Sequence, residues 1–223
     1  MVTEVRDGVF WLGLTGVNAY LVDGDGLTLV DAGTPFDAGA VESGIETAGF
    51  EMADLERLLV THYDVDHVGS ITKLPTDAPV YVGRGDAAFL TGARAPLVSG
   101  HKSLTQRLLR PFVPRVDADR VRSVDDGDGI AGFEAYHTPG HTPGHTVYVH
   151  EGRDAAFLGD LVVERDGVFD PSPWLLSYDT DLVAESIRTF VERTPSFEAA
   201  GVGHGAPVAT GGFERLRRCA TNL

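Results

Sequence analysis

The chain is short of cysteine, of lysine and of long apolar runs. Its single cysteine, Cys219, excludes an intramolecular disulfide and a cysteine-rich zinc site. That thiol lies four residues from the end, with no base nearby in sequence, and reads as buried or incidental. No apolar stretch approaches the roughly 20 residues a membrane helix needs. The N-terminus has no basic segment followed by a long apolar run, so no signal peptide is expected and the default compartment is the cytoplasm. There are two lysines, Lys73 and Lys102, against 16 arginines. Aspartate outnumbers glutamate 21 to 12, and the net charge is −15. Such a surface repels phosphates, so neither nucleic acid nor membrane is an expected partner. Short carboxylates with few lysines fit a protein hydrated in concentrated salt; a GC-rich genome would also exchange Lys for Arg. Gly-x-Ser-x-Gly is absent, so no serine nucleophile is evident.

What is present suits one domain over residues 1–223, rich in turns because 27 residues are glycine. "NAYLV" and "LTLVDAG" flank "DGDG" and predict a hairpin. Phe36, Ala40, Val41, Ile45 and Ala48 recur at near-helical spacing, and Gly49 suits the stop. "RLLVTH" reads as a buried strand ending at His62, "VGSITKL" as a short helix and "PVYVG" as a strand. Residues 84–118 suggest two short helices, with Arg107, Arg110 and Arg115 giving local basic character, as a cap over a site or as a solvated face. Strand patterns return in "RVRSV", "FEAYH", "TVYVH" and "DAAFLGD". A helix capped by Asp181 runs to about Glu192, "AAGVGHG" ends a strand on His204, and a last helix follows. Strands in both halves with helices between them predict an α/β sandwich, two sheets packed together with helices outside.

Chemistry concentrates in "THYDVDHVG". His62, Asp64, Asp66 and His67 follow a strand and open a helix. Four ligand-type side chains in six positions are too many for one metal, so two metals are the economical reading. In "HTPGHTPGHT" the prolines and glycines exclude a helix and mount His141 between two Pro-Gly turns. His137 and His145 flank it in supporting or structural roles. Asp160 in "FLGD" and His204 in "GVGHG" add a carboxylate and an imidazole, each at a strand end.

The order "LVDAG", "THYDVDHVG", "HTPGHTPGH", "FLGD", "GHG" resembles the metallo-β-lactamase-fold hydrolases, the glyoxalase II-like enzymes among them. The resemblance implies an αββα sandwich of two mixed sheets with a dinuclear site at one edge. It assigns His62, residue 64 and His141 to a first metal, Asp66, His67 and His204 to a second, and Asp160 as the bridge. Asp31 would support a ligand rather than bind. The departure is Asp64, where relatives usually carry His. A carboxylate oxygen can coordinate zinc at about 2.0–2.2 Å. Being harder and charged, it tilts preference toward iron or manganese, so the expected cofactors are two divalent ions, zinc first, with Fe or Mn open.

The implied reaction is attack of a metal-activated hydroxide on an ester, thioester or lactone carbonyl of a small molecule, with Asp66 orienting the hydroxide and passing on its proton. Rivals are a di-iron oxygen/NO reductase, a mononuclear-iron sulfur dioxygenase and a non-catalytic metal-binding domain. Only 19 residues follow His204, which argues against a glutathione-binding extension. Val163 stands where quorum-signal lactonases often carry Tyr.

Overall fold

A computed structural model describes residues 1–95, 102, 106 and 113–223. Seven strands form the first sheet in sequence order: β1 (Val2–Arg6), β2 (Val9–Gly13), β3 (Asn18–Gly24), β4 (Gly26–Val30), β5 (Leu55–Val60), β6 (Val80–Gly83) and β7 (Val121–Val124). β1 to β4 pair antiparallel, and β4 to β7 pair parallel. The second sheet has β8 (Gly129–Ile130), β9 (Phe133–His137), β10 (Thr146–His150), β11 (Ala155–Gly159) and, after a hairpin of β12 (Val162–Arg165) with β13 (Val168–Pro171), β14 (Ala199–Val202). Its order is β14-β11-β10-β9-β8, with β11 and β14 parallel.

Three apolar clusters define four layers. Strands β3, β4, β6, β10, β11 and β14 are buried on both faces over most of their length, which is why they read as nearly continuous apolar runs. Tyr20, Val22 and Leu59 of the first sheet meet Phe133, Tyr148 and Phe157 of the second between the sheets. The opposite face of the first sheet, with Leu21, Leu29, Leu58 and Val80, is covered by Val41 and Ile45 of α1 (Ala38–Thr47), Val68 of α2 (Val65–Val68) and Leu90 of α3 (Arg84–Leu90). The opposite face of the second sheet, with Val147, Val149, Leu158 and Ala200, is covered by α4 (Thr180–Arg193) through Val183, Ile187 and Phe190, and by α5 (Gly212–Thr221) through Leu216 and Cys219. Helix, sheet, sheet, helix is the expected αββα order. No helix among the described residues is long and apolar enough to cross a membrane.

The hairpin forms as predicted, with Gly26 at φ 85° completing its turn. Several local expectations are corrected. Phe36 lies outside α1 and is 88% exposed, and Ala40 faces solvent, so the inward stripe is Val41, Gly44 and Ile45. "VGSITKL" does not form one helix: α2 starts earlier, at Val65, and a separate single turn spans Ile71–Lys73. The cap of α4 is Asp179, whose carboxylate accepts the N–H groups of Asp181 and Leu182; Asp181 sits inside the first turn. β14 stops at Val202, two residues short of His204. The second helix expected within 84–118, with Arg107 and Arg110, lies outside the described residues.

Candidate metal centre

The parallel pairing brings strand ends to one edge of the sandwich. Asp31 follows β4, His62 follows β5, Asp160 follows β11 and His204 follows β14 by two residues. His141 sits in the turn between β9 and β10, and Asp64, Asp66 and His67 surround the start of α2. All seven predicted ligand residues meet there. Three groups of donor atoms each lie within 4.8 Å of one another: His62, Asp64 and His141; Asp66, His67 and His204; His62, His67 and Asp160. Asp160 joins the set, with Oδ2 3.5 Å from His141 Nε2 and 3.4 Å from His204 Nε2, and Oδ1 3.5 Å from His67 Nε2. His137 is exposed and donates to the Pro143 carbonyl. His145 is buried beside His62, with Nδ1 on the Thr138 hydroxyl. Both therefore stand outside the donor groups.

Each of the four imidazoles turns Nε2 inward because something holds Nδ1. His67 Nδ1–H donates to Asp31 Oδ2 at 2.8 Å, and His204 Nδ1–H donates to the Gly16 carbonyl at 2.8 Å. Neither acceptor can donate, so both rings keep a proton on Nδ1, and Nε2 is the atom that offers a lone pair once its own proton is lost. Thr61 donates its hydroxyl to Asp31 Oδ2 at 2.7 Å, leaving its oxygen to accept from His62 Nδ1 at 3.0 Å. His141 Nδ1 is 2.8 Å from the Ser172 hydroxyl. Asp31 thus supports two candidate ligand residues and binds the Thr61 N–H as well, at the cost of a left-handed backbone, φ 57°. The buried Nε2 atoms of His62 and His67 and Oδ1 of Asp160 have no hydrogen-bond partner. Unpaired polar atoms converging in a buried site are costly unless something binds there, and a cation fits their chemistry.

Two residues that sequence reasoning passed over complete the site. Asp86, fully buried at the start of α3, accepts the Tyr63 N–H at 3.0 Å, the Thr142 hydroxyl at 2.6 Å and the Gly144 N–H at 2.8 Å. It ties the His62–His67 loop to the His141 turn. Lys102, 5% exposed, donates to Asp64 Oδ2 at 2.8 Å and to His141 Nε2 at 2.7 Å. The other Asp64 oxygen accepts from Gln106. Burial alone would raise the Asp64 carboxyl, but Lys102 and the two histidines outweigh it and hold it well below the carboxylate range.

Without an ion, the neighbouring carboxylates favour the protonated forms of His67 and His204. Burial opposes the proton on His67, yet Asp31 and Asp160 push its pKa up to about 9. The carboxylates of Asp160 and Asp66, accepting from the His204 ring, push its pKa up to about 11. A metal must displace those protons. Zinc affinity is therefore expected to rise with pH, by about tenfold per pH unit for each proton displaced, as read by chelator competition from pH 6.5 to 9. The metal-free fold behaves oppositely. Groups raised in the folded state stabilise it fully below the unfolded value of 6.5, and that contribution is lost as pH rises through about 9 and 11. His141, held down to about 4 by burial, Lys102 and His62, costs stability as pH falls from 6.5 to 4. Melting of the metal-free protein should peak near pH 6.5.

Known proteins are similar to this chain in sequence and in fold. The sequence model of the metallo-beta-lactamase superfamily matches residues 12–196. The probable metallo-hydrolase YflN of Bacillus subtilis (strain 168) is 28% identical over 239 aligned positions, covering 94% of this chain and 88% of that protein. BJP-1, a subclass B3 metallo-beta-lactamase of Bradyrhizobium japonicum, superposes with a TM-score of 0.71 at 22% identity, over all of this chain and 90% of its own. TTHA1623, solved in a di-iron-bound form, superposes at 0.70 with 26% identity, over 95% of this chain and 98% of its own. Motif order, four-layer sandwich and a match across most of the chain agree, and the protein belongs to the metallo-beta-lactamase superfamily.

Proposed function

We propose that the protein is a metal-dependent hydrolase that cleaves an ester, thioester or lactone of a small molecule with an apolar acyl portion. The observation that carries this reading is the cavity above the centre. It encloses about 480 Å³, with Asp66, His141, Asp160 and His204 among its polar lining and Tyr63, Val65, Val113, Leu175 and Leu176 as apolar wall. Leu175 and Leu176 belong to a turn, Trp174–Leu176, whose three side chains are 64, 58 and 47% exposed, an apolar rim. Polar groups at one end of an apolar cleft orient a substrate whose remaining part is greasy.

The side chains of Asp66, His67, Asp160 and His204 would hold a cation that, when bound, would lower the pKa of a water and polarise a carbonyl. The residues do the rest. Asp66 lies in the cavity lining with its side chain 35% exposed and Oδ2 3.4 Å from His204 Nε2. Burial raises its pKa, but His204 and His67 bring it below the usual value, so it rests ionised, able to accept the proton of the attacking water and return it to the leaving oxygen or sulfur. Imidazole and carboxylate together suit zinc, with iron and manganese also accommodated. The second reading is an iron redox enzyme; the similarity to TTHA1623, solved in a di-iron-bound form, supports only the choice of iron. Two irons with an optical band and no ester turnover would select it.

The test is a panel of acyl esters, thioesters and lactones of increasing chain length. kcat/KM is expected to rise about three- to fourfold per added methylene until the cavity is filled. A flat or falling series would exclude the apolar acyl site.

A further inference from the structure

We propose that the Lys102 ammonium takes the place of the first cation, so that the protein carries one metal ion, held by Asp66, His67, His204 and Asp160. The inference rests on the metal-dependent reading above and narrows it.

His141 is the deciding residue. The Nε2 atom stands 2.7 Å from Lys102 Nζ and 3.0 Å from Asp64 Oδ2; an ammonium can only donate, so the one lone pair of Nε2 accepts from Lys102. A metal at His62, Asp64 and His141 would need that same lone pair. Asp64 is committed too: Oδ2 accepts from Nζ at 2.8 Å and Oδ1 accepts from Gln106. Lys102 is 5% exposed, and a lysine is rarely buried this deeply without a partner of opposite charge. The charges match as an exchange. A carboxylate at position 64 adds one negative charge where a third imidazole would add none, and Lys102 returns one positive charge. The chain has one other lysine, Lys73, which lies on the surface.

The second group of donors has no such occupant. Asp66, His67, His204 and Asp160 form ion pairs with one another and with other histidines and Asp31; no lysine or arginine among the described residues pairs with them. His67 Nε2 and Asp160 Oδ1 are buried and face each other at 3.5 Å, without a hydrogen-bond partner. His62 Nε2, also unpartnered, groups with these two as well as with Asp64 and His141, so it can face the single ion.

The experiment compares metal stoichiometry in the parent and in Lys102→Met. Each protein is stripped, reloaded with zinc or cobalt(II) and freed of excess. Ions per chain are then counted by elemental analysis and by the cobalt absorption titration. One equivalent is expected in the parent and two in Lys102→Met. Two in the parent, or one in a Lys102→Met protein that melts cooperatively, overturns the proposal and leaves the hydrolase reading standing. No bound ion in either protein overturns both. If Lys102→Met does not fold, Asp64→His combined with Lys102→Met leaves no unpaired charge, and two equivalents are expected there; one equivalent would again overturn the proposal.

Discussion

His67→Ala should lower ester hydrolysis by about 10³-fold or more and remove tight metal binding, with the fold retained. The magnitude follows from its place. Losing an outer hydrogen-bond partner of a ligand costs roughly 10–100-fold in affinity or activity, and His67 is nearer the chemistry than that. Its ring is fully buried, Asp31 fixes its proton on Nδ1, and Nε2 faces Asp160 with no other partner. Alanine also leaves Asp31 with one donor fewer, but Thr61 still supplies two, so the effect on folding should be the smaller one. Measuring kcat/KM beside metal content checks it. Activity within tenfold of the parent would place the centre elsewhere.

Asp86→Ala should be the most damaging single change to stability outside the apolar core. Three donors lose their acceptor at once in a buried site: two backbone N–H groups, from Tyr63 and Gly144, and the Thr142 hydroxyl. Each buried unsatisfied group costs about 1–3 kcal/mol, so a loss on the order of 3–5 kcal/mol is expected. For a chain of this size that lowers Tm by about 10 °C. The space is also constrained, because a Cβ on Gly144 would stand 2.3 Å from the Asp86 backbone nitrogen. Since Asp86 joins the His62–His67 loop to the His141 turn, metal affinity should fall with stability, although Asp86 touches no donor atom. Melting curves and chelator competition on the same variant test both parts; a Tm within about 2 °C of the parent would contradict the bracing role.

Residues whose role is written in local pattern could be read from the sequence. Strand ends follow from apolar runs that stop at a polar residue, so His62, Asp160 and His204 could be placed at or near strand ends from periodicity alone. The two Pro-Gly pairs excluded a helix around His141 for a steric reason that holds in any fold. Residues whose role depends on distant contacts could not be read. Asp86 looks like an ordinary acid at the start of a helix; its three partners come from residues 63, 142 and 144. Lys102 is 38 positions from Asp64 and 39 from His141, and a lysine in a polar segment reads as a surface residue. The N-cap of α4 shows the same limit at short range. Asp179 and Asp181 are chemically identical, and only the backbone φ of −152° at Asp179 makes it the cap. The apolar rim at Trp174–Leu176 went unread because three apolar residues beside prolines resemble buried chain.

If the strand ends gathered from across the chain form a working metal centre, hydrolysis must depend on the ion they hold. Stripping the protein with a chelator, assaying it on an ester substrate and then adding zinc in steps tests that most directly. Hydrolysis should vanish in the stripped protein and return in proportion to zinc, reaching a plateau at the stoichiometry of the bound ion. Turnover that survives complete stripping, or that zinc, iron and manganese all fail to restore, would contradict it.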